Sequence, residues 1–421
     1  MPKLISISLS PNTEKDDIRL AWKVIFQPWK WKSGRNRAIA RNLSELDLLK
    51  EEFKKYLGVK YAVSFNSGRS AFLAILKNLE LEEKSEILLQ AFTCNAVVNP
   101  ILWTGLKPVF VDANEKTFNI DTEDLSRKIT SRSRAVIVQH TFGLPADLEE
   151  ISEVCRENNL ILVEDCAHSL GAEYHGKKVG TFGKVSFFSF SRDKVISSVY
   201  GGLAITNDEE LANKLCDFQE SISYPSSFWI IQQLLHPVLM NYLILPTYLI
   251  FGKYLLLLLQ WFHILSKAVH KKEKKGEKPS CFPKRMPNAL AILALNQFKK
   301  IERFNEHRRE IADFYFANLQ GCFFELPVQP NDRKQIFLRF TIKHPLAEKI
   351  IDEAWQKNIL IGDWYTSPIA PADTELKKMG YREGICPKVE KLSRETLNLP
   401  THINVSKEKA QKILEFLKKW Q

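Results

Sequence analysis

From residue 45 to residue 206 the chain alternates short apolar runs with longer stretches whose apolar residues recur every three or four positions. The runs are YAVSF (61–65), EILLQ (86–90), PVFVD (108–112), RAVIVQ (134–139), LILVE (160–164), KVSFFSF (184–190) and GGLAIT (201–206). Helical spacing fills the early intervals, as in RSAFLAILKNL and ADLEEISEVCREN. Strands that are apolar throughout are buried on both faces, and strands separated by helices pair in parallel. The pattern therefore predicts an α/β fold built on a seven-stranded, mostly parallel sheet. In such sheets ligands bind beyond the carboxyl ends of the strands, so chemistry is sought there.

The alternation stops near residue 222. Residues 227–267 are strongly apolar, interrupted by Pro237, Pro246, Gly252 and Lys253, and are followed by the polar stretch AVHKKEKKGEKPS (268–280). From about residue 286 a helical pattern resumes, long enough to bridge two domains. The tail then mixes a strand pattern, QIFLRFTI (335–342), with helical ones, PLAEKIIDEAWQKN (345–358) and KEKAQKILEFLKKW (407–420). We divide the chain into an N-terminal segment (1–44), a large domain (45–300) carrying an insert (222–281), and a small C-terminal α/β domain (301–421).

With 45% hydrophobic and 26% charged residues, the chain of 421 has the composition of a folded globular protein. Its seven cysteines are scattered without a C-x-x-C pair, which suits a reducing, cytoplasmic setting and supports neither a metal site nor a disulfide framework. The N-terminus lacks the basic flank and apolar core of a signal peptide. The chain has a net charge of +11, and basic residues crowd directly behind the apolar run (Lys267, Lys271, Lys272, Lys274, Lys275, Lys278, Lys284 and Arg285). No zinc finger, RNA-binding aromatic motif or basic zipper accompanies them, so nucleic acid is not the expected partner. A single membrane crossing at 227–267 would place the small domain opposite the large one, so the insert reads as a re-entrant or interfacial hairpin. Trp229, Tyr242, Tyr248 and Trp261, with the lysine run, suit the anionic inner face of a cell membrane. The alternative is a helical pair buried in a dimer.

Four stretches fall at strand ends. In NSGRSA (66–71) Gly68 permits a tight turn, and the amides of Arg69 and Ser70 face either an anion or nothing beyond the turn. Phe92 is a core aromatic or a stacking surface for a planar ring. Asp165 caps the following turn or faces a ligand, and His168 lies one helical turn further on. Ser189 ends the strand KVSFFSF, and Lys194 follows five residues later, where a lysine amine can form a Schiff base with an aldehyde.

The stretches SGRSA, AFTCNAVVNPILWTGLKPVFVDAN, HTFGLPADLEEI, VEDCAHSLGA, SFSRDK and GGLAIT, in this order, resemble the DegT/DnrJ/EryC1/StrS family of sugar aminotransferases. The resemblance covers roughly residues 45–220 and 282–421, including YREGICPKVEKLSRETLNLPTHINVS, and leaves out the insert. It implies a fold-type I enzyme with pyridoxal 5'-phosphate (PLP) that converts a keto-sugar, usually nucleotide-linked, to an amino-sugar for a surface polysaccharide or glycan. The donor would be an amino acid such as glutamate.

By this resemblance Lys194 matches the lysine that binds the cofactor's aldehyde and moves protons, and Asp165 the acid at the pyridine nitrogen. His168 matches a contact on the 3-hydroxyl side, and Phe92 the aromatic stacked on the ring. Gly68, Arg69 and Ser189 match the phosphate cradle, with Ser70 as an extra donor. Arg285 matches a basic residue that reaches the neighbouring subunit, which implies a homodimer.

The chain departs from the family pattern at Arg69 (usually Thr), Arg192 and Asp193 (usually uncharged), Tyr200 (usually acidic) and Pro283 (usually Asn). A PLP-dependent sugar dehydratase is a rival reading, but those relatives carry His where this chain has Lys194. A catalytically inactive, membrane-bound scaffold or regulator is another.

Overall fold

A computed structural model describes residues 4–32 and 43–420; the rest of the N-terminal segment and Gln421 lie outside the described residues. The seven strands are β1 (Tyr61–Phe65), β2 (Glu86–Gln90), β3 (Lys107–Val111), β4 (Ser133–Gln139), β5 (Ile161–Asp165), β6 (Val185–Ser189) and β7 (Gly202–Thr206). Each lies within one residue of its apolar run, because a strand buried on both faces has little else to encode. They form one sheet in the order β1-β7-β6-β5-β4-β2-β3. All neighbours are parallel except β7, which runs antiparallel to both β6 and β1. The amino end of β7 therefore sits at the carboxyl edge of the sheet.

Register aligns that edge. Asp165 lies opposite Gln139 on one side and Phe187 on the other, and Ser189 opposite Gly202. Helix α1 (Gly68–Asn78) leaves β1 with its first turn against this corner. A Cβ on Gly68 would stand 2.8 Å from Ser189 Cβ, and one on Gly202 would stand 2.5 Å from Gly68 N. Glycine is required at both positions: at Gly202 backbone meets backbone, and at Gly68 the Ser189 side chain leaves no room for a Cβ.

Two helices, α2 (Ser227–Leu239) and α3 (Lys253–Trp261), bracket the apolar insert. The chain between them stays helical through π turns at Met240–Ile244 and Tyr248–Gly252. It bends so sharply there that a Cβ on Gly252 would lie 2.3 Å from the Ile244 carbonyl oxygen. Pro246 lies within the bend, and proline and π bulges are usual causes of one. The insert is thus a helical hairpin: Leu265 returns to pack with Met240 and Ile244, and Gln232 donates to the His263 carbonyl.

The long helical pattern after residue 286 is two helices, α4 (Asn288–Phe298) and α5 (Ile301–Leu319), rather than one. Helix α4 is buried almost all round, whereas α5 is amphipathic. At the joint, Lys300 turns its amine to Glu14, Asp16 and Asp17. In the tail, β8 (Arg339–Lys343) pairs antiparallel with β9 (Thr396–Pro400) over its own apolar core. The strand starts four residues later than QIFLRFTI suggests, because the amides of Ile336 and Leu338 bond instead to the carbonyls of Gly143 and Phe142. A two-residue strand, Ile5–Ser6, pairs with Ile359–Leu360 and ties the N-terminus to this small domain.

Adjacent carboxylates on β5 face opposite ways, as strand geometry demands. Glu164 points inward and accepts the amides of Gly180, Phe182 and Gly183 and a hydrogen bond from His140 Nε2. Burial alone would raise its pKa, but these donors more than offset that and hold it below 4.5. Its stabilisation is therefore present above about pH 4.5 and lost as pH falls further. Glu164→Ala, which strands these donors, is expected to destabilise the chain by about 3 kcal/mol. Denaturant midpoints measure this, and the gap from wild type should narrow below about pH 4.5.

Candidate active site

The carboxyl edge of the sheet opens into a cavity of about 110 Å³ lined by Gly68, Ser189, Asp165, His168 and Lys194, with Trp364 and Tyr365 from the loop after the short strand Ile359–Leu360. At one end lies the start of α1. Ser67 caps this helix by accepting the Ser70 amide at 3.1 Å. The amides of Gly68 and Arg69, the first two of the helix, have no intrahelical carbonyl to bind. With the Ser189 hydroxyl they make an end of the cavity suited to an anion.

Asp165 lies at the floor. One of its oxygens accepts the Ala167 amide at 2.9 Å, so it caps the turn as well as facing the cavity. Burial lifts its pKa from 3.8 to about 6, against the opposing pull of that amide and Lys194. Lys194 hangs from the turn after β6. Its carbonyl accepts the Asn12 amide, and Arg308 holds both Asn12 and the next carbonyl, at 2.9 and 2.8 Å. Its ammonium lies 4.6 Å from the centre of the Trp364 ring. Burial pushes its pKa down, while Asp193, Cys94 and Asp165 oppose this. A buried lysine with a lowered pKa holds more of the neutral, nucleophilic amine.

His168 stacks on Trp364 at 5.3 Å between ring centres, with Phe142 on its other side at 6.1 Å. Burial, followed by Lys194 and Arg339, drives its pKa well down, so the ring is neutral. Nδ1 accepts the Phe142 amide, which leaves Nε2–H directed to the Tyr365 hydroxyl at 3.4 Å. Arg339 lies 3.3 Å from the centre of the Trp364 ring and 3.8 Å from Asp193.

Gly68, Asp165, His168, Ser189 and Lys194 thus meet in one cavity, and Arg69 contributes to its wall. Three other sequence-derived candidates lie off it. Phe92 has a positive φ of 63° and turns its ring into a second layer against Phe118, Phe142 and Tyr365. Cys94, two residues on, lines the wall instead. Ser70 turns its hydroxyl to the Asn66 side chain, to which it donates at 2.7 Å. Arg285 gives its guanidinium to the carbonyls of Gln219, Glu220 and Ile222. The charge expected at Arg69 is paired away from the cavity, on Glu273. Gln139 stands at the end of β4, where the same strand-end rule points; Trp364, Tyr365 and Arg339 come from the C-terminal part of the chain and leave no local signal.

A model of the DegT/DnrJ/EryC1/StrS aminotransferase family matches residues 35–227 and 257–418. Between these stretches it omits 228–256, the first arm and the bend of the hairpin, so the part of the chain outside the family pattern is shorter than the 222–281 expected from the sequence. The GDP-perosamine synthase of Escherichia coli O157:H7 is 30% identical over 272 residues, 64% of this chain and 62% of that protein. The dTDP-3-amino-3,6-dideoxy-alpha-D-galactopyranose transaminase of Aneurinibacillus thermoaerophilus is 26% identical over 89% of this chain and 90% of its own. Among solved structures, Helicobacter pylori PseC, an aminotransferase involved in the biosynthesis of pseudoaminic acid, superposes with a TM-score of 0.76 at 24% identity, covering 99% of both chains.

Raising the Asp165 pKa from 3.8 to about 6 means that its ionised form destabilises the fold by about 3 kcal/mol. This penalty is absent below the unfolded value and complete above the folded one. Asp165→Asn is therefore expected to be more stable than cofactor-free wild type by up to about 3 kcal/mol at neutral pH. Urea titrations should show the two converging below about pH 4.

Proposed function

Since this chain belongs to the DegT/DnrJ/EryC1/StrS aminotransferase family, we propose that it aminates a nucleotide-linked keto-sugar, with an amino acid such as glutamate as donor and PLP as cofactor. The product would be an amino-sugar for a surface polysaccharide or glycan. One observation carries the reading: a half-buried lysine and a buried carboxylate share a cavity whose far end is an open helix N-terminus.

These residues fit the cofactor. Asp165 lines the cavity floor, where its ionised carboxylate would pair with a protonated ring nitrogen and so keep the proton there. The amides of Gly68 and Arg69 and the Ser189 hydroxyl would hold a phosphate, in a corner that a Cβ on Gly68 would fill. PLP, when bound, supplies the electron-withdrawing ring that lets an amine exchange between carbon skeletons. Lys194 would supply the amine that condenses with the cofactor's aldehyde, releasing water, and when free would carry a proton from one carbon to another. Neutral His168 offers no charge, and with Tyr365 and Trp364 it walls the chemistry from water. Phe92 would support that wall from behind.

Two further features belong to this reading. The family resemblance implies a homodimer, to which Arg285 would contribute. The hairpin leaves Tyr242, Ile250, Tyr254, Leu257 and Trp261 exposed, Tyr254 and Trp261 at 71% each, beside exposed Lys253, Lys267, Lys271 and Lys272. An apolar face edged with aromatics and cations matches the anionic, cytoplasmic side of a membrane. By length and composition Ser227–Trp261 is also apolar enough to cross one, but its fold-back keeps both ends on one side.

Purified protein reconstituted with PLP should absorb visible light, lose that band on adding glutamate, and never acquire it as Lys194→Ala. A chain that stays colourless with excess PLP would sink the enzymatic reading and favour a scaffold.

For the membrane, wild type should sediment with vesicles containing phosphatidylglycerol more than with pure phosphatidylcholine. The pair Tyr254→Glu and Leu258→Glu should abolish this. Equal recovery of both proteins in the supernatant, with light scattering showing that the pair alone loses its dimer, would instead make the face a subunit contact.

A further inference from the structure

The chain that leaves the hairpin, residues 265–276, does not run off into solvent. It crosses the anion-binding end of the cavity, where Ala268 and Val269 line the wall beside Gly68 and Gly201. Arg192 donates to the carbonyl and hydroxyl of Ser266, at 2.6 and 2.5 Å. The Tyr200 hydroxyl donates to the Lys267 carbonyl at 2.6 Å. Arg69 donates to the Ala268 carbonyl at 2.9 Å and pairs with Glu273, whose side chain is fully buried. Glu273 also accepts the His270 amide at 2.8 Å, and Asn99 donates to its carbonyl at 3.0 Å. Trp103 donates to the Gly276 carbonyl at 2.9 Å, closing the far end of the strap.

Arg69, Arg192 and Tyr200 are three of the positions where this chain departs from its family, and each of them binds this strap. We propose that the strap supplies a fixed roof over the phosphate end of its own chain's cavity. Arg69 and Glu273 act as the positioning pair that keeps the roof closed and a phosphate-bearing cofactor in place. Because Glu273 takes the charge of Arg69, the phosphate is held by amides and hydroxyls, and the roof sets how fast it leaves. Breaking one half of a buried ion pair strands the other charge, so the strap should open when either partner alone is neutralised.

This inference rests on the cavity being a PLP site, and the test separates the two. In holoenzyme carrying Glu273→Gln, hydrogen–deuterium exchange of peptide 262–276 should accelerate at least tenfold. PLP release should accelerate about as much, while affinity for pyridoxal, which has no phosphate, stays within about twofold. Adding Arg69→Thr, which removes the stranded charge, should recover at least part of both effects. Tyr200→Phe loosens the same strap without touching the ion pair, and it serves if Glu273→Gln does not fold. Unchanged exchange in the variant, or faster exchange with unchanged or slower PLP release, overturns the roof alone. A wild type that binds no PLP overturns the functional reading and this inference together.

Discussion

Gly68 and Gly202 meet backbone to backbone, with the Ser189 side chain seated against Gly68, and the geometry of the site follows from that contact. Because β7 returns antiparallel between β6 and β1, its first residue arrives at the edge where the parallel strands end. Helix α1 can then start directly on top of β6, aiming unpaired amides at the space beside Ser189. The turn after β6 has nowhere to go except back across that space, and it carries Lys194 with it. A larger residue at either glycine would push the helix off the strand and move anion site and lysine apart.

Within this frame burial does the electrostatic tuning. It raises the proton affinity of Asp165, lowers that of Lys194 and keeps His168 neutral. One desolvated cavity thus holds an acid near the range where it exchanges protons, an amine with nucleophilic character and an uncharged ring. The price is an ionised Asp165 that weakens the fold, a strain the rest of the sheet must carry.

The sheet was legible because buried parallel strands are written as continuous apolar runs, and its edge was legible because those runs end on Asp165 and Ser189. The strand-end rule does not tell which of two neighbours faces inward once the backbone leaves the strand. Phe92 turns away through its positive φ, and Cys94 takes the wall. Trp364 and Tyr365 close the site from nearly 200 residues away in sequence, as the Tyr365–His168 contact shows, and no local pattern announces such a meeting. The long helix after residue 286 was read through its joint because Lys299 and Lys300 are good helix formers; only distant carboxylates pull Lys300 aside. Arg69, Arg192 and Tyr200 stood out in the sequence as oddities, but their common cause, the strap, became visible only when the insert was in place.

That shared cause ties the strap to the side chains beneath it. Arg69 is buried and Arg192 half-buried there, and Glu273, the counter-ion of Arg69, belongs to the strap. The strap lies inside the stretch that the family model matches, whereas the bend of the hairpin, within 228–256, lies outside it. Excising the strap would leave two guanidinium groups beside the cavity, the first without its counter-ion. Positions 69, 192, 200 and 273 are therefore not independent of one another, and a change at one alters what the others can be.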